Sequence, residues 1–378
     1  MRELISYSVL SKFNICNMEP LQKIKTFWLV VDYVCNNRCL GCYASESLFI
    51  HNPIDFNYAL RIVQIMSDLE AIDCLLIGGE PTLYKDLPRL IEKGTALGIS
   101  FKLVTNGRRL ADKHYLLNLK NAGLVHASIS IEGTEATHNQ IAQTKSYHQS
   151  INAVENCISQ GLSFNTLLTI NQNNYRDIMQ LASDLNNIGV KNILFNIGLP
   201  SCGSQNDDGY CLPPTKTAIV IRNAYKAFKE NSIKAKFLAT IPLCLFSELE
   251  LEEMVQDDYI SDGAHCHIFY GSGVVFEPNG NVLPCTHFVA KPLFNMFQDN
   301  INSADDFKAI WFGKKGIHGD FKKAVWHFPH INCMQCKQWG KCVGGCPFLW
   351  LKYNPNEIIT NFHRKEAKNG SFISDGLA

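Results

Sequence analysis

The sequence predicts a parallel α/β fold followed by a turn-rich, cysteine-rich region, and three observations carry that expectation. Between residues 27 and 198, short β-rich runs alternate with longer helical patterns. Each β-rich run is almost continuously apolar, as expected of strands in a parallel sheet covered by helices. After Gly198 the alternation stops, and Gly, Pro and Cys punctuate the chain instead.

In order, the candidate strands are Phe27–Tyr33, Cys74–Gly78, Ser100–Thr105, His126–Ile131, Phe164–Ile170 and Asn192–Ile197. Helical patterns lie between them. Phe56–Glu70 carries Leu60, Val63, Ile65 and Met66 as its apolar residues, and Tyr175–Ile188 follows the fifth strand. Asp55 is the expected N-cap of the first helix, and Gly123 and Gly189 stand where helices should stop. Strand–helix repetition of this kind implies parallel pairing with right-handed crossovers. Six units fit an open sheet or a partial barrel, and periodicity alone does not choose. Beyond Gly198, LPSCGSQNDDGYCLPP (199–214) reads as a loop and Thr215–Glu230 as a helix. From about residue 263 the chain is turn-rich, and EPNG (277–280) is expected to join two short strands. A boundary is expected between 240 and 262, and the polar stretch from Tyr353 is expected to be loosely ordered.

Composition narrows the function classes. At 378 residues the chain has room for about two or three domains. Apolar residues make up 46% and charged residues 19%, which suits a well-cored globular protein. Lys+Arg and Asp+Glu balance at 35 each, so a nucleic-acid binder relying on a basic surface is disfavoured. No apolar run reaches the roughly 18 residues of a membrane span, and the first residues do not read as a secretory signal. The expected compartment is cytoplasmic, where cysteines stay reduced unless they bind metal or do chemistry. The fifteen cysteines are too many and too clustered for neglect. Cys35, Cys39 and Cys42 stand near the start, and Cys333, Cys336, Cys342 and Cys346 near the end, with ligand spacing rather than disulfide spacing.

Cys35-x3-Cys39-x2-Cys42 directly follows the first strand, where βα loops carry the chemistry of (β/α) folds. Three thiolates at this spacing can hold three irons of a 4Fe-4S cube and leave the fourth open to a small ligand. Structural zinc takes four ligands, which makes the obvious alternative a poor match. The triad resembles the radical S-adenosylmethionine (radical SAM) superfamily, whose CxxxCxxC follows the first strand of a partial (β/α)6 barrel. Gly78-Gly79-Glu80-Pro81 matches that family's GGEP motif after the second strand. Thr105-Asn106-Gly107 and Ser130-Ile131-Glu132-Gly133 match its segments after the third and fourth. The resemblance implies that Cys35, Cys39 and Cys42 ligate a catalytic 4Fe-4S cluster that binds S-adenosyl-L-methionine. It further implies that Tyr43, Gly78, Gly79, Glu80, Asn106, Ser130 and Glu132 contact that cofactor.

Two positions depart from the family. The residue before the third cysteine is usually bulky and covers the adenine, yet here it is Gly41; Tyr43 is the candidate substitute. The family's His-Asp-x-x-Arg, whose Arg meets the cofactor carboxylate, reads His138-Asn139-Gln140-Ile141-Ala142, so Lys145 is offered in its place. His138 itself reads more simply as a packed side chain.

The C-terminal pattern Cys266…Gly280-x4-Cys285, then Cys333-x2-Cys336-x5-Cys342-x3-Cys346, resembles the SPASM domain, which holds auxiliary iron–sulfur clusters. By that resemblance Cys266, Cys285 and Cys346 serve a first auxiliary cluster, and Cys333, Cys336 and Cys342 a second. The family's last cysteine is missing, since none follows Cys346. His363 is the candidate replacement in the second cluster, and Cys244 the upstream candidate for the first. One zinc held by Cys333, Cys336, Cys342 and Cys346 is the alternative. Cys202 and Cys211, after the sixth strand, are simple loop cysteines unless they serve as substrate-site thiols or extra ligands. Cys74 and Cys157 are expected in the core, and Cys16 fits no pattern. His265 and His287 flank Cys266 and Cys285 and could bond cluster sulfurs. Trp28, Trp311, Trp326, Trp339 and Trp350 read as packing.

The expected organisation is thus an N-terminal extension (1–26), a radical SAM core (27–240), a bridge (241–265), a SPASM domain (266–352) and a tail (353–378). The implied reaction is reductive cleavage of S-adenosylmethionine to a 5′-deoxyadenosyl radical that abstracts a substrate hydrogen, with one or two auxiliary clusters making the outcome oxidative. Relatives with both parts mostly modify peptides, so a ribosomal-peptide maturase forming an intramolecular crosslink is the favoured reading. Its partners would be a precursor peptide and a flavodoxin- or ferredoxin-type electron donor, with neither nucleic acid nor membrane. The 26 residues before the first strand are expected to be too few for an added leader-binding domain, so a leader would dock on the barrel or a partner protein. Sulfatase-type maturation is less apt, because Thr286 stands after Cys285 where those enzymes place Asp. A radical enzyme of small molecules, an iron–sulfur electron carrier and a zinc-binding module are the alternatives.

Overall fold

The computed structural model describes residues 23–45, 51–202, 209–238, 241–260, 266–313 and 329–359. The expected alternation is present: β1 (Thr26–Val30), α1 (Phe56–Asp68), β2 (Asp73–Ile77), α2 (Leu87–Thr95), β3 (Ser100–Thr105), α3 (Lys113–Ala122) and β4 (Leu124–Ser130). Two helices, α4 (Glu135–Ala142) and α5 (Tyr147–Gln160), then precede β5 (Ser163–Ile170), α6 (Ile178–Asn187), β6 (Asn192–Ile197), α7 (Pro214–Glu230) and β7 (Lys234–Phe237). Local chemistry sets the boundaries. Asp55 caps α1 by accepting the Tyr58 N–H, and Gly123 and Gly161 close α3 and α5 in the left-handed conformation. α6 begins three residues later than Tyr175, because Asn171 and Asn174 turn their side chains back onto the local backbone and compete with helix formation.

Strand order resolves the choice left open by periodicity. β1 to β7 lie in sequence order and pair in parallel, with no reversal of the kind that marks a doubly wound sheet. Right-handed crossovers that always advance one way keep the helices on one face, so the sheet curls into a partial barrel. Alternate residues of β1 show the two faces. Phe27 and Leu29 enter the main core beneath the helices with Ile62, Met66 and Leu76. Trp28 and Val30 join a smaller inner cluster with Ile77, Val275 and Leu283. Each such fully buried aliphatic or aromatic side chain contributes roughly 1.5–3 kcal/mol.

The C-terminal region holds α8 (Glu248–Gln256), α9 (His267–Tyr270), β8 (Gly273–Phe276), β9 (Asn281–Leu283), β10 (Phe294–Asn295), α10 (Ala304–Trp311) and α11 (Leu349–Lys352). EPNG makes the expected hairpin between β8 and β9. That hairpin continues the barrel sheet: β8 pairs in parallel with β1, opposite Thr26–Leu29, giving the order β10-β9-β8-β1 to β7. The expected boundary between 240 and 262 therefore does not divide the sheet. No described helix is long and apolar enough to cross a membrane.

Candidate functional site

The site is built at the carboxyl ends of the strands. After β1 the chain runs through buried Asp32 into Cys35, Cys39 and Cys42, and after β2 the Gly78-Gly79-Glu80 turn packs against it. Gly79 N–H donates to Asp32 O (2.9 Å) and Glu80 N–H to Val34 O (2.9 Å). A Cβ on Gly78 would stand 2.1 Å from Asp32 O, and one on Gly79 2.3 Å from Tyr33 O. Both glycines are thus required by the close approach of two protein backbones, whatever ligand they also meet. On its other side the cysteine loop is pinned to α4, where Arg38 N–H donates to Ala142 O (3.1 Å) and Leu40 N–H to Ile141 O (2.8 Å). The segment lacking the family's Arg therefore supports the loop through its carbonyls. Arg108, after β3, adds bonds to Asn36 O and Asn37 Oδ1.

Glu80 is 1% exposed. Its Oε1 accepts Thr82 N–H (3.1 Å), Thr82 Oγ1 (2.6 Å) and Thr105 Oγ1 (2.7 Å), while Oε2 accepts Asn106 N–H alone (2.7 Å). The carboxylate thus ties the turn after β2 to the turn after β3, and Oε2 retains acceptor capacity for a cationic ligand. Asn106 Nδ2 reaches Asn36 Oδ1 (2.7 Å) and lies 3.9 Å from Cys35 Sγ. Ser130 ends β4, and Glu132 follows it, accepting Thr169 N–H at Oε2 (3.1 Å). Burial pushes the Glu132 carboxyl up to about 7. His138 is packed, as expected: it accepts Glu132 N–H and meets Ser146 Oγ, and burial lowers it to about 4. Lys145 is exposed on the α4–α5 connection.

One residue was not legible in the sequence. The Tyr210 ring covers Gly41, and a Cβ there would stand 2.3 Å from it. Gly41, at φ +64°, leaves room for an aromatic side chain delivered by the loop after β6. Tyr43, proposed for this place, instead donates its hydroxyl to Gly78 O (3.2 Å).

The three thiols suit an iron–sulfur cluster. Burial raises all of them, Cys35 to about 11, with the neighbouring thiols of the triad adding to the rise in Cys35 and Cys39. N–H donors face the sulfurs: Asn37 backbone to Cys35 (3.4 Å), the Asn37 side chain to Cys39 and Ala44 backbone to Cys42. Buried thiols served by donors become thiolates when a cationic centre binds them. Among the described residues no three His, Cys, Asp or Glu side chains close on a single ion.

The C-terminal cysteines fall into two groups. Cys266 packs with Cys285, Cys346 and Cys202 around Ile268 and Phe348. Cys333, Cys336 and Cys342 line a cavity together with Cys244. The grouping removes one alternative and changes one expectation. Cys346 stands with Cys266 and Cys285, so Cys333, Cys336, Cys342 and Cys346 do not form one zinc tetrahedron. Cys244 stands with the second trio and not the first, because the turn Leu243–Leu245 is seated on the Cys342 loop. His287 lies 3.9 Å from Cys285 Sγ and is kept neutral by burial. Cys74 and Cys157 are core residues, as expected, and Cys211 is buried. Cys16, His265, Trp326 and His363 lie outside the described residues.

Residues 29–185 match the radical SAM superfamily. Fe-coproporphyrin III synthase of Methanosarcina barkeri is 28% identical over 163 residues, covering 43% of this chain and 41% of that protein. Sporulation killing factor maturation protein SkfB of Bacillus subtilis is 26% identical over 177 residues, covering 47% and 42%. The chain spans about two fifths of the length of these curated relatives. In fold it resembles Streptococcus suis SuiB bound to precursor peptide SuiA, at a TM-score of 0.71 and 16% identity over 92% of this chain and 76% of that one.

Proposed function

This chain carries a radical SAM domain over residues 29–185, and from that premise we propose that it oxidatively modifies a ribosomally made peptide, forming an intramolecular crosslink. The observation that carries the reading is the joining of the Cys35/Cys39/Cys42 loop, the Glu80 turn and the Asn106 turn into one hydrogen-bonded unit at the strand ends. Cys35, Cys39 and Cys42 would hold a 4Fe-4S cluster, and Tyr43, Gly78, Gly79, Glu80, Asn106, Ser130 and Glu132 would surround S-adenosylmethionine. Cys266, Cys285 and Cys346, and Cys333, Cys336 and Cys342, would hold two auxiliary clusters in a SPASM-type region. When bound, these groups supply one-electron chemistry: cleavage of S-adenosylmethionine at the first site, and acceptance of the electron an oxidised substrate must lose at the others.

The chain's own residues do the rest. Glu80 fixes the two turns and offers Oε2 to an ammonium group. Tyr210 roofs the cysteine loop and excludes water. Glu132, whose carboxyl burial raises to about 7, stands beside Cys39 and can take up or release a proton near neutral pH. A peptide substrate is supported by the fold shared with SuiB, a protein seen with a precursor peptide, and by sequence similarity to the maturation protein SkfB. An external flavodoxin or ferredoxin would supply the reducing electron.

A small-molecule substrate is the second reading, favoured by similarity to an Fe-coproporphyrin III synthase. Candidate peptides encoded beside the gene distinguish the two. Incubated anaerobically with reductant and S-adenosylmethionine, the true peptide should lose the mass of two hydrogens and resist reduction and alkylation. Unchanged peptide masses alongside continuing S-adenosylmethionine cleavage would overturn the peptide reading.

A further inference from the structure

We propose that Cys202 completes the ligand set of Cys266, Cys285 and Cys346, and that Cys244 completes the set of Cys333, Cys336 and Cys342. Each auxiliary cluster would then have four thiolates from this chain. The inference rests on the proposal that these two trios hold clusters, and it assigns ligands that lie upstream of both.

The second set is the clearer. Cys244 is the further thiol that lines the same cavity as this trio. The Leu243–Leu245 turn delivers Cys244 into the cavity lined by Cys333, Cys336 and Cys342, closed by Pro242 and Trp339. Two contacts seat this turn. Leu243 N–H donates to Cys342 Sγ at 3.2 Å. Gly345, at φ +84°, brings its backbone so near Pro242 that a Cβ would stand 2.8 Å from the ring.

Cys202 reaches the first set from the loop after β6. Its N–H donates to His287 O (2.9 Å), which places it beside the Cys285–His287 turn. Its side chain packs in the same apolar cluster as Cys266, Cys285 and Cys346. The neighbouring Ser201 Oγ donates to Tyr43 O (3.0 Å), so the same loop touches the residue that follows Cys42. A cluster closed by four thiolates has no open iron for substrate, so both auxiliary centres would serve as electron relays.

The test is anaerobic reconstitution of the full chain with iron and sulfide. The parent should hold about twelve irons, and Cys202→Ala and Cys244→Ala should each fall to about eight or show the electron paramagnetic resonance signal of a three-iron cluster. Cys157→Ala, a core replacement, should keep the parental content. A second measurement avoids variants. In the iron-loaded parent Cys202 and Cys244 should resist iodoacetamide, and after chelator treatment both should react. If the parent holds only about four irons, the reading of the two trios as cluster sites fails. If the parent holds about twelve but both variants match it, or both thiols alkylate in the loaded protein, the trios stand and the assignment of Cys202 and Cys244 is overturned.

Discussion

Glu80→Gln separates a carboxylate that merely meets a ligand from one that also holds two turns together. The carboxylate takes three donors on Oε1 and one on Oε2. Whichever way the amide of a glutamine turns, its NH2 faces a backbone N–H, that of Thr82 or that of Asn106. One bond to a charged acceptor is lost, worth about 1.5–3 kcal/mol, and a buried donor is left without a partner. Relief from burying a charge, which raises the Glu80 carboxyl, offsets part of this. The net local cost should be about 1.4–2.8 kcal/mol, or roughly 10- to 100-fold faster amide exchange. Hydrogen–deuterium exchange of peptides covering Thr82 and Asn106, read by mass spectrometry without S-adenosylmethionine, measures it. Helix α5 should keep its parental protection. Unchanged protection at both amides would refute the structural role and leave Glu80 as a ligand contact only.

Other expectations follow from the same geometry. Gly41→Ala should destabilise by about 1–3 kcal/mol through its collision with Tyr210; combined with Tyr210→Ala the loss should shrink, and additive effects in urea unfolding would argue against the contact. The Glu132 carboxyl is raised from 4.5 to about 7 in the folded chain. Its contribution is therefore fully present below about 4.5 and is lost as pH rises through about 7. Glu132→Gln should accordingly gain up to about 3 kcal/mol relative to the parent between pH 5 and pH 8, and parallel pH profiles would contradict this. Stripping the iron should raise amide exchange in 329–359, where buried thiols replace bound metal, while the β3–β4 region stays protected; uniform protection would count against the second auxiliary site.

The barrel was legible because its strands are buried on both faces and its turns carry their own chemistry. Strands β3 and β6 begin and end where the apolar runs do, and the motif residues Cys35, Glu80, Asn106 and Glu132 all reach one end of the sheet. What escaped depends on distant pairing. β7 is only Lys234–Phe237, too short and half charged to announce itself. Nothing local in Gly273–Phe276 says that it pairs with β1. Tyr210 lies within a Gly/Pro-marked loop, and its place over Gly41 is set by the fold; the missing bulk at Gly41 was the one available signal. Nearness in sequence puts Cys244 with Cys266, whereas the turn at Pro242 folds back on Gly345 and brings Cys244 beside Cys333, Cys336 and Cys342.

The most direct test of the account is S-adenosylmethionine cleavage by the reduced, reconstituted protein, compared with the variant carrying Cys35→Ala, Cys39→Ala and Cys42→Ala. The account predicts 5′-deoxyadenosine and methionine from the parent and none from the variant, which should still hold about eight irons in its C-terminal sites. No 5′-deoxyadenosine from a fully iron-loaded parent, or an equal rate from the variant, would contradict it.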